Sequence, residues 1–450
     1  MFPSYNIETL LTVDSFIMAE TKDPFLRCNK PFQRLADAFF NPKEYFVFSP
    51  WCQRIGHVAV ELMLAVSIAI RDNKELILIP HTKSVNKEIF KSQFNCRTYQ
   101  RKDWKITILK TAILLADGFH YLYNGIRSKI IKFLPFISKI VVPVFYYPRY
   151  GIEKGKWNII KLRGTENYHD WKLLLSTDFQ VSLTSDQRKR GEAIRMQMGI
   201  PEDAWFVCLH VREKGYVGPN PDDSSISNYL PAIRHITRKG GYVVRMGDPS
   251  MTPLQPMNKV VDYANSKFRS DLMDIYLISS SRFYIGCSSG LYFIAWAFRK
   301  PTCILNWTLM PMGFPCFPND MFIYKGFFSK KEQRFLSLKE ALSCAMMRVP
   351  DHIMYVENSP LEILEAIKEY MHFLEKGKFY DSDHLQNEYR VFRAKRQEYI
   401  LKQDSVSGDI KSLIAGTMPA QGRLGSFYLE NNWENKDYLR EMTKLYNGDA

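Results

Sequence analysis

Apolar residues along this chain cluster in short unbroken runs that alternate with longer segments of helical period. Tyr45-Phe-Val-Phe-Ser-Pro50 predicts a buried strand, Trp51–Gly56 a loop, His57–Asp72 a helix and Glu75–Pro80 a second buried strand. Continuous apolar strands joined through a helix are the mark of a parallel sheet covered on both faces. Lys105–Asp117 and Ile140–Tyr147 carry mixed signals. The alternation restarts near Leu183 with a charged helix over Ser185–Met198, ended by Gly199 and Pro201, and an apolar strand over Trp205–Val211. A helix over Asn228–Arg238 closes at Gly240-Gly241, and Tyr242–Met246 is the next strand. Helices over Asp271–Ser279 and Tyr292–Phe298 alternate with strands over Arg282–Ile285 and Thr302–Asn306, the last expected to close the sheet. From Ser359 the chain reads as helical and highly charged. The expected architecture is α/β: two facing, Rossmann-like, doubly wound domains over 1–175 and 176–345, then a helical C-terminal extension over 346–450.

Composition narrows the function classes. The 450 residues are 46% hydrophobic and 24% charged, which excludes a disordered chain. The formal net charge is +14. Between Arg97 and Arg163 stand fourteen Lys/Arg against three acids, a local +11 in about one seventh of the chain. Such a patch draws phosphate-rich partners or an anionic membrane surface. Arg127–Arg149 mixes basic and apolar residues as an interfacial segment does. The apolar stretches Val58–Ile70 and Phe133–Tyr147 are shorter than the roughly 20 residues of a membrane span. The eight cysteines are scattered without a CxxC pair, and Met1-Phe-Pro-Ser opens no signal peptide, so a reducing, cytoplasmic setting is expected.

Two places in the second half suit a phosphate. Cys208-Leu-His-Val-Arg212-Glu213 ends a strand with a guanidinium, whose planar fork matches phosphate oxygens. The polar loop Lys214–Ser227, with Asp222-Asp-Ser-Ser225, is able to fold over a ligand, or its acids serve only to pair with Arg212. Gly286-Cys-Ser288-Ser289-Gly290 leads into a helix, either as an anion-binding turn or as an ordinary serine cap. No GxxxxGK[ST], no GxGxxG after a strand, no GxSxG and no metal-ligand spacing occurs, and no cofactor or metal is expected. In the first half, Arg54-Ile-Gly56-His57 precedes a helix, with Glu61 one turn on. His57 is the candidate general base, with Glu61 orienting it; a capping His and a surface Glu are the alternative.

These residues resemble the GT-B class of glycosyltransferases. Val207-Cys-Leu-His-Val-Arg212-Glu is similar to the HVR segment of the fucosyltransferase and protein-O-fucosyltransferase group. More closely, Phe206 to Asn306 resembles a bacterial glycosyltransferase family of surface-polysaccharide loci. The shared segments are Ser225-Ile-Ser-Asn-Tyr-Leu-Pro-Ala-Ile, Gly240 to Pro249, Val261-Asp-Tyr-Ala-Asn265, Ser270-Asp-Leu-Met-Asp274 and Ile285 to Gly290, together with Arg54 to Glu61. The resemblance implies a metal-independent transferase that moves a sugar from a nucleotide-sugar, GDP- or UDP-linked, to a hydroxyl of a surface glycan. It implies that Arg212, Ser288, Ser289 and Gly290 hold the donor phosphates. Arg245 is a second phosphate or sugar contact, and Asp248 and Asp262 are ribose, base or sugar partners. Glu213 belongs to the same donor group and stands where the fucosyltransferase segment carries a second Arg, which argues against GDP-fucose. Arg54 and Gly56 lie on the acceptor side. The bases are His57, Glu61 and, on the loop, Asp222.

Two rivals remain: another sugar-nucleotide enzyme on the same scaffold, such as an epimerase, and a non-catalytic binder of anions or nucleic acid. The chain has no RRM, KH or helix-turn-helix signature, so nucleic acid is not the expected partner. The basic patch instead suits a lipid-linked glycan at the inner face of the cytoplasmic membrane.

Overall fold

The computed structural model describes residues 39–41, 43–48, 55–80, 85–99, 104–111, 150–153, 156–159, 171–213, 221–308, 317–344, 350–379, 383–403 and 422–447. The chain divides into two compact units, residues 1–90 with 94–166 and residues 91–93 with 167–450. Each is described by itself.

In the first unit, β1 (Tyr45–Phe48) and β2 (Glu75–Leu78) pair in parallel, Tyr45 beside Glu75 and Phe48 beside Leu78. Between them runs α1 (Ile55–Arg71), which buries Val58 to Ala69 without a break. A helix buried all round carries no polar stripe, which is why its sequence is so evenly apolar. An antiparallel pair, β3 (Tyr150–Glu153) and β4 (Lys156–Ile159), also belongs to this unit. Arg54 and the interfacial segment 127–149 lie outside the described residues.

The second unit is built on seven parallel strands: β5 (Phe206–His210), β6 (Tyr242–Arg245), β7 (Val260–Val261), β8 (Tyr284–Gly286), β9 (Thr302–Trp307), β10 (Met321–Tyr324) and β11 (Arg423–Leu424). Their spatial order is β11-β10-β9-β8-β5-β6-β7, every pair parallel. Counted from the first strand, this is the 3-2-1-4-5-6 order of the Rossmann fold with one strand added at the far edge. The order reverses between β5 and β8, so a crevice opens at their carboxyl ends.

Local chemistry sets the elements. Thr184 caps α2 (Ser185–Gln197) through a capping box, accepting from the Gln187 amide at 3.2 Å while Gln187 accepts from the Thr184 amide at 3.0 Å. Gly199, at φ 81°, takes the left-handed turn that follows. Gly191 on α2 lies so close to Tyr276 on α3 (Asp271–Ser280) that a Cβ would meet the ring at 2.1 Å.

One expectation is corrected. Thr302–Trp307 does not close the sheet, because β10 and β11 lie beyond it. A small antiparallel sheet stands apart from this order: Gly326–Ser329 pairs antiparallel with both Arg334–Leu336 and Ile353–Val356. Residues 346–450 carry the helices Pro360–Lys376, Asp383–Leu401, Ser426–Asn432 and Lys436–Asn447. They belong to the second unit, supply β11 to its sheet, and lay Pro360–Lys376 against it. Isolated two-residue strands carry no readable alternation, and Met321–Ser329 is interrupted by Lys325 and Gly326, which hides two strands in one apolar run.

Candidate functional site

The carboxyl ends of β5, β8, β9 and β10 bring one group of side chains together. Strand register puts Gly286 beside His210 and Arg245 beside Leu209. Just past β5, the Arg212 amide donates to Cys287 Sγ at 3.2 Å, and its carbonyl accepts from the Ser224 amide at 2.8 Å. Burial pushes the Cys287 thiol up to about 12, so it stays a neutral acceptor.

The Arg212 guanidinium lies 3.7 Å from Asp222 and 3.5 Å from Asp223. Both distances are longer than the 2.7–2.9 Å of a charge-assisted hydrogen bond. The pair neutralises the charge and leaves the fork's directional donors largely unspent. Asp222 accepts instead from Thr308 Oγ1 at 2.6 Å, and Thr308 Oγ1 lies 3.2 Å from Ser288 Oγ. Buried Lys325, at the end of β10, donates to the Asp223 carbonyl. Glu357 fixes the rest of this segment by accepting from the Ser225 amide at 2.7 Å and from Asn228 at 3.1 Å.

Arg245 does something different. Its side chain is fully buried and donates to Glu213 at 2.6 Å, the Thr252 carbonyl at 2.7 Å and Asp262 at 3.3 Å. Glu213 also accepts from the Thr252 amide at 2.9 Å, and Asp262 from the Leu254 amide at 2.9 Å and Asn265 at 3.1 Å. Arg245, Glu213 and Asp262 therefore form a clamp on the segment after β6, and not a second phosphate contact with sugar partners around it. Asp248 accepts from the Ser250 amide at 2.9 Å; burial opposes its ionisation, but the bonds from Ser250 and the nearby charge of Arg269 hold it below the usual carboxylate range. Gly247, at φ 146°, lets the chain turn there, with Met251 Sδ 2.3 Å from where a Cβ would stand.

The serines are also reassigned. Ser288 is buried against Thr308, Ser289 lies beside the buried Tyr284 hydroxyl, and Gly290 is exposed. The helix that follows, Tyr292–Ala297, has only six residues and is capped by Leu291 without a side-chain bond. The serines are thus neither a helix cap nor a long helix's dipole end. Only Ser288 joins the Arg212 group.

His210, the last residue of β5, is the member that motif reasoning missed. It is 7% exposed, and its Nδ1 is buried without a hydrogen-bond partner. Burial, with Arg212 and Arg245 nearby, pushes its pKa down to about 3, so the ring is neutral. Its position inside an apolar strand run was the available signal.

In the first unit, Gly56 is buried and His57 half-buried in the first turn of α1, the helix that follows β1 along the chain. Glu61 is 1% exposed and so is not a surface residue. Among the described residues no His, Cys, Asp and Glu cluster has metal-site geometry, and no helix is long and apolar enough to cross a membrane.

The sequence matches no protein-family model and no curated protein. Among solved structures, it is similar to the glycosyl transferase family 9 protein of Veillonella parvula DSM 2008, at 11% identity and TM-score 0.33 over 62% of this chain and 82% of that one. It is also similar to the iron-containing dodecameric glycosyltransferase TibC of enterotoxigenic E. coli H10407, at 13% identity and TM-score 0.29 over 62% and 60%. For the heptosyltransferase TibC in complex with ADP-D-beta-D-heptose, the figures are 21% identity and TM-score 0.18 over 24% and 30%. The three scores do not exceed 0.33, so the strand order carries the assignment of the second unit's fold.

Proposed function

We propose that the protein is a glycosyltransferase of the GT-B class that moves a sugar from a nucleotide-sugar, GDP- or UDP-linked, to a hydroxyl of a surface-glycan acceptor. One observation carries the reading: at the reversal point of a Rossmann-ordered sheet stands an arginine whose guanidinium is neutralised but makes no hydrogen bond among the described residues. Open α/β sheets bind nucleotides at that point. A guanidinium with unspent donors suits a diphosphate, and Thr308 and Ser288 add hydroxyls beside it. Together they would meet the charge that develops on the leaving diphosphate, the role a metal ion fills in other transferases.

His57 is the proposed base. It is the half-buried imidazole in the first turn of the helix that follows β1 along the chain, while Asp222 is already engaged by Thr308 and Arg212. Buried Glu61, one turn away, would orient it. The acceptor is taken to be lipid-linked, with the protein peripheral on the inner face of the cytoplasmic membrane. The +11 between Arg97 and Arg163 supports this, as do Trp104 and Ile108, 61% and 38% exposed on the helical segment 104–111 beside Lys110.

GDP-, UDP-, CMP- and dTDP-sugars, screened by thermal stabilisation, test the donor; a ligand at 100 times its Kd adds about 2.7 kcal/mol. The stabilising donor is then assayed for transfer. Arg212→Ala is expected to abolish transfer with the fold retained, and full turnover by that variant would remove the assignment. Wild-type turnover by His57→Ala would exclude His57 as the base.

A further inference from the structure

The two arginines at neighbouring strand ends meet their carboxylates in opposite ways. Arg245 is locked at 2.6 Å to Glu213 and at 3.3 Å to Asp262. Arg212 is held at 3.5 and 3.7 Å by two consecutive aspartates, close enough to cancel its charge and too far to use its N–H groups well. The aspartates are not loosely placed. The Ser224 amide donates to the Arg212 carbonyl, Lys325 to the Asp223 carbonyl, and Ser225 and Asn228 to Glu357. Residues 223–228 are therefore fixed through their backbone and flanking groups, and the Asp222 carboxylate takes the Thr308 hydroxyl at 2.6 Å. Four charged groups meet here, Arg212 and Lys325 against Asp222 and Asp223, with Glu357 as a third acid at Lys325. An arriving anion meets a site whose positive charge is already answered.

We propose that Asp222 and Asp223 are an internal competitor for the phosphate ligand of Arg212: a diphosphate binds by taking the guanidinium and the Thr308 hydroxyl from them. This rests on the reading that a diphosphate occupies the Arg212 site. The backbone ties do not involve the two carboxylates, so the carboxylates can turn aside while the segment stays in place. A diphosphate is suited to win it, since its several oxygens accept from the guanidinium fork and from Thr308 together, with shorter bonds than the aspartates make. When the diphosphate departs, the aspartates re-form their contacts, which lowers affinity for the spent nucleotide and favours its release.

Calorimetric titration of the full chain with inorganic pyrophosphate, at fixed moderate salt and without added metal, tests the proposal. The double variant Asp222→Asn/Asp223→Asn is expected to bind about tenfold tighter than the wild type or better, because two like charges are removed beside the ligand. Arg212→Ala is expected to lose binding in both backgrounds. Circular dichroism checks folding; if the double variant does not fold, the single variants Asp222→Asn and Asp223→Asn are each expected to tighten binding by a smaller factor. Binding by the folded variants that is equal to or weaker than wild type overturns the proposal, as does pyrophosphate binding that survives Arg212→Ala. Tighter binding of pyrophosphate, with no sugar transferred from any nucleotide-sugar, would leave the internal competitor standing and remove the glycosyltransferase reading.

Discussion

Replacing Arg245 by Met separates a structural clamp from a ligand contact, two roles that the same strand-end position allows. The substitution keeps much of the side chain's length and removes its charge from a site with no exposure. Three donations are lost: to Glu213 at 2.6 Å, to the Thr252 carbonyl at 2.7 Å and to Asp262 at 3.3 Å. Removing one partner of a buried ion pair costs about 3–5 kcal/mol, chiefly because the remaining charge is left buried. Here the orphaned carboxylates are 16% and 19% exposed and keep amide donors from Thr252 and Leu254 at 2.9 Å. The lower end, about 3 kcal/mol, is therefore expected. Denaturant unfolding followed by tryptophan fluorescence reads this as a lower midpoint for the second unit's transition, whose reporters include buried Trp296 and Trp307. Adding Glu213→Gln and Asp262→Asn to Arg245→Met is expected to recover part of the loss, because no unpaired charge then remains. Stability within about 0.5 kcal/mol of wild type, together with loss of pyrophosphate binding, would refute the clamp and restore Arg245 as a phosphate contact.

Two further outcomes follow from the packing. Burial pushes the Asp320 carboxyl up to about 7, although it accepts from Thr302 Oγ1 at 2.6 Å. The folded chain thus keeps a proton that the unfolded chain releases near pH 4. Asp320's contribution to stability therefore falls as pH rises from about 4 to about 7, by up to about 4 kcal/mol, and is level above that. Subtracting the pH–stability curve of Asp320→Asn from that of wild type isolates this slope; a flat difference would show that the carboxyl ionises normally. Gly191→Ala drives a methyl into the Tyr276 ring and is expected to cost about 1–3 kcal/mol in a thermal melt, with Gly191→Ala/Tyr276→Leu milder; an unchanged melt for the single variant would mean that the ring yields freely.

The parallel, doubly wound character of the second unit was legible because its central strands are buried on both faces. Phe206–His210 and Thr302–Trp307 have no exposed position, so they read as unbroken apolar runs. Arg212 was legible for a similar reason: it is a charged residue directly after such a run, and in a parallel sheet that means a carboxyl end. Sequence alone did not tell Arg212 from Arg245, since both follow apolar strands. Which arginine is spent depends on Glu213, Asp262, Asp222 and Asp223, which lie from 10 to 32 residues along the chain from the arginine each one pairs with and are gathered only by the strand order. Thr308, Lys325 and Glu357 were invisible for the same reason. Each is an ordinary polar residue until β9, β10 and the segment after Ile353–Val356 bring it to one sheet edge.

The sequence by itself determined where the four central strands β5, β6, β8 and β9 and the helices between them lie, because burial on two faces and helix capping are written in local residue order. Tertiary structure decided the strand order that makes a crevice at β5 and β8, the place of Arg423–Leu424 in that sheet, and the division of labour between the two arginines. The physical reason is distance along the chain: hydrophobic period and capping act over a few residues, whereas the partners of a buried charge are chosen by whatever the fold sets within a few ångströms of it.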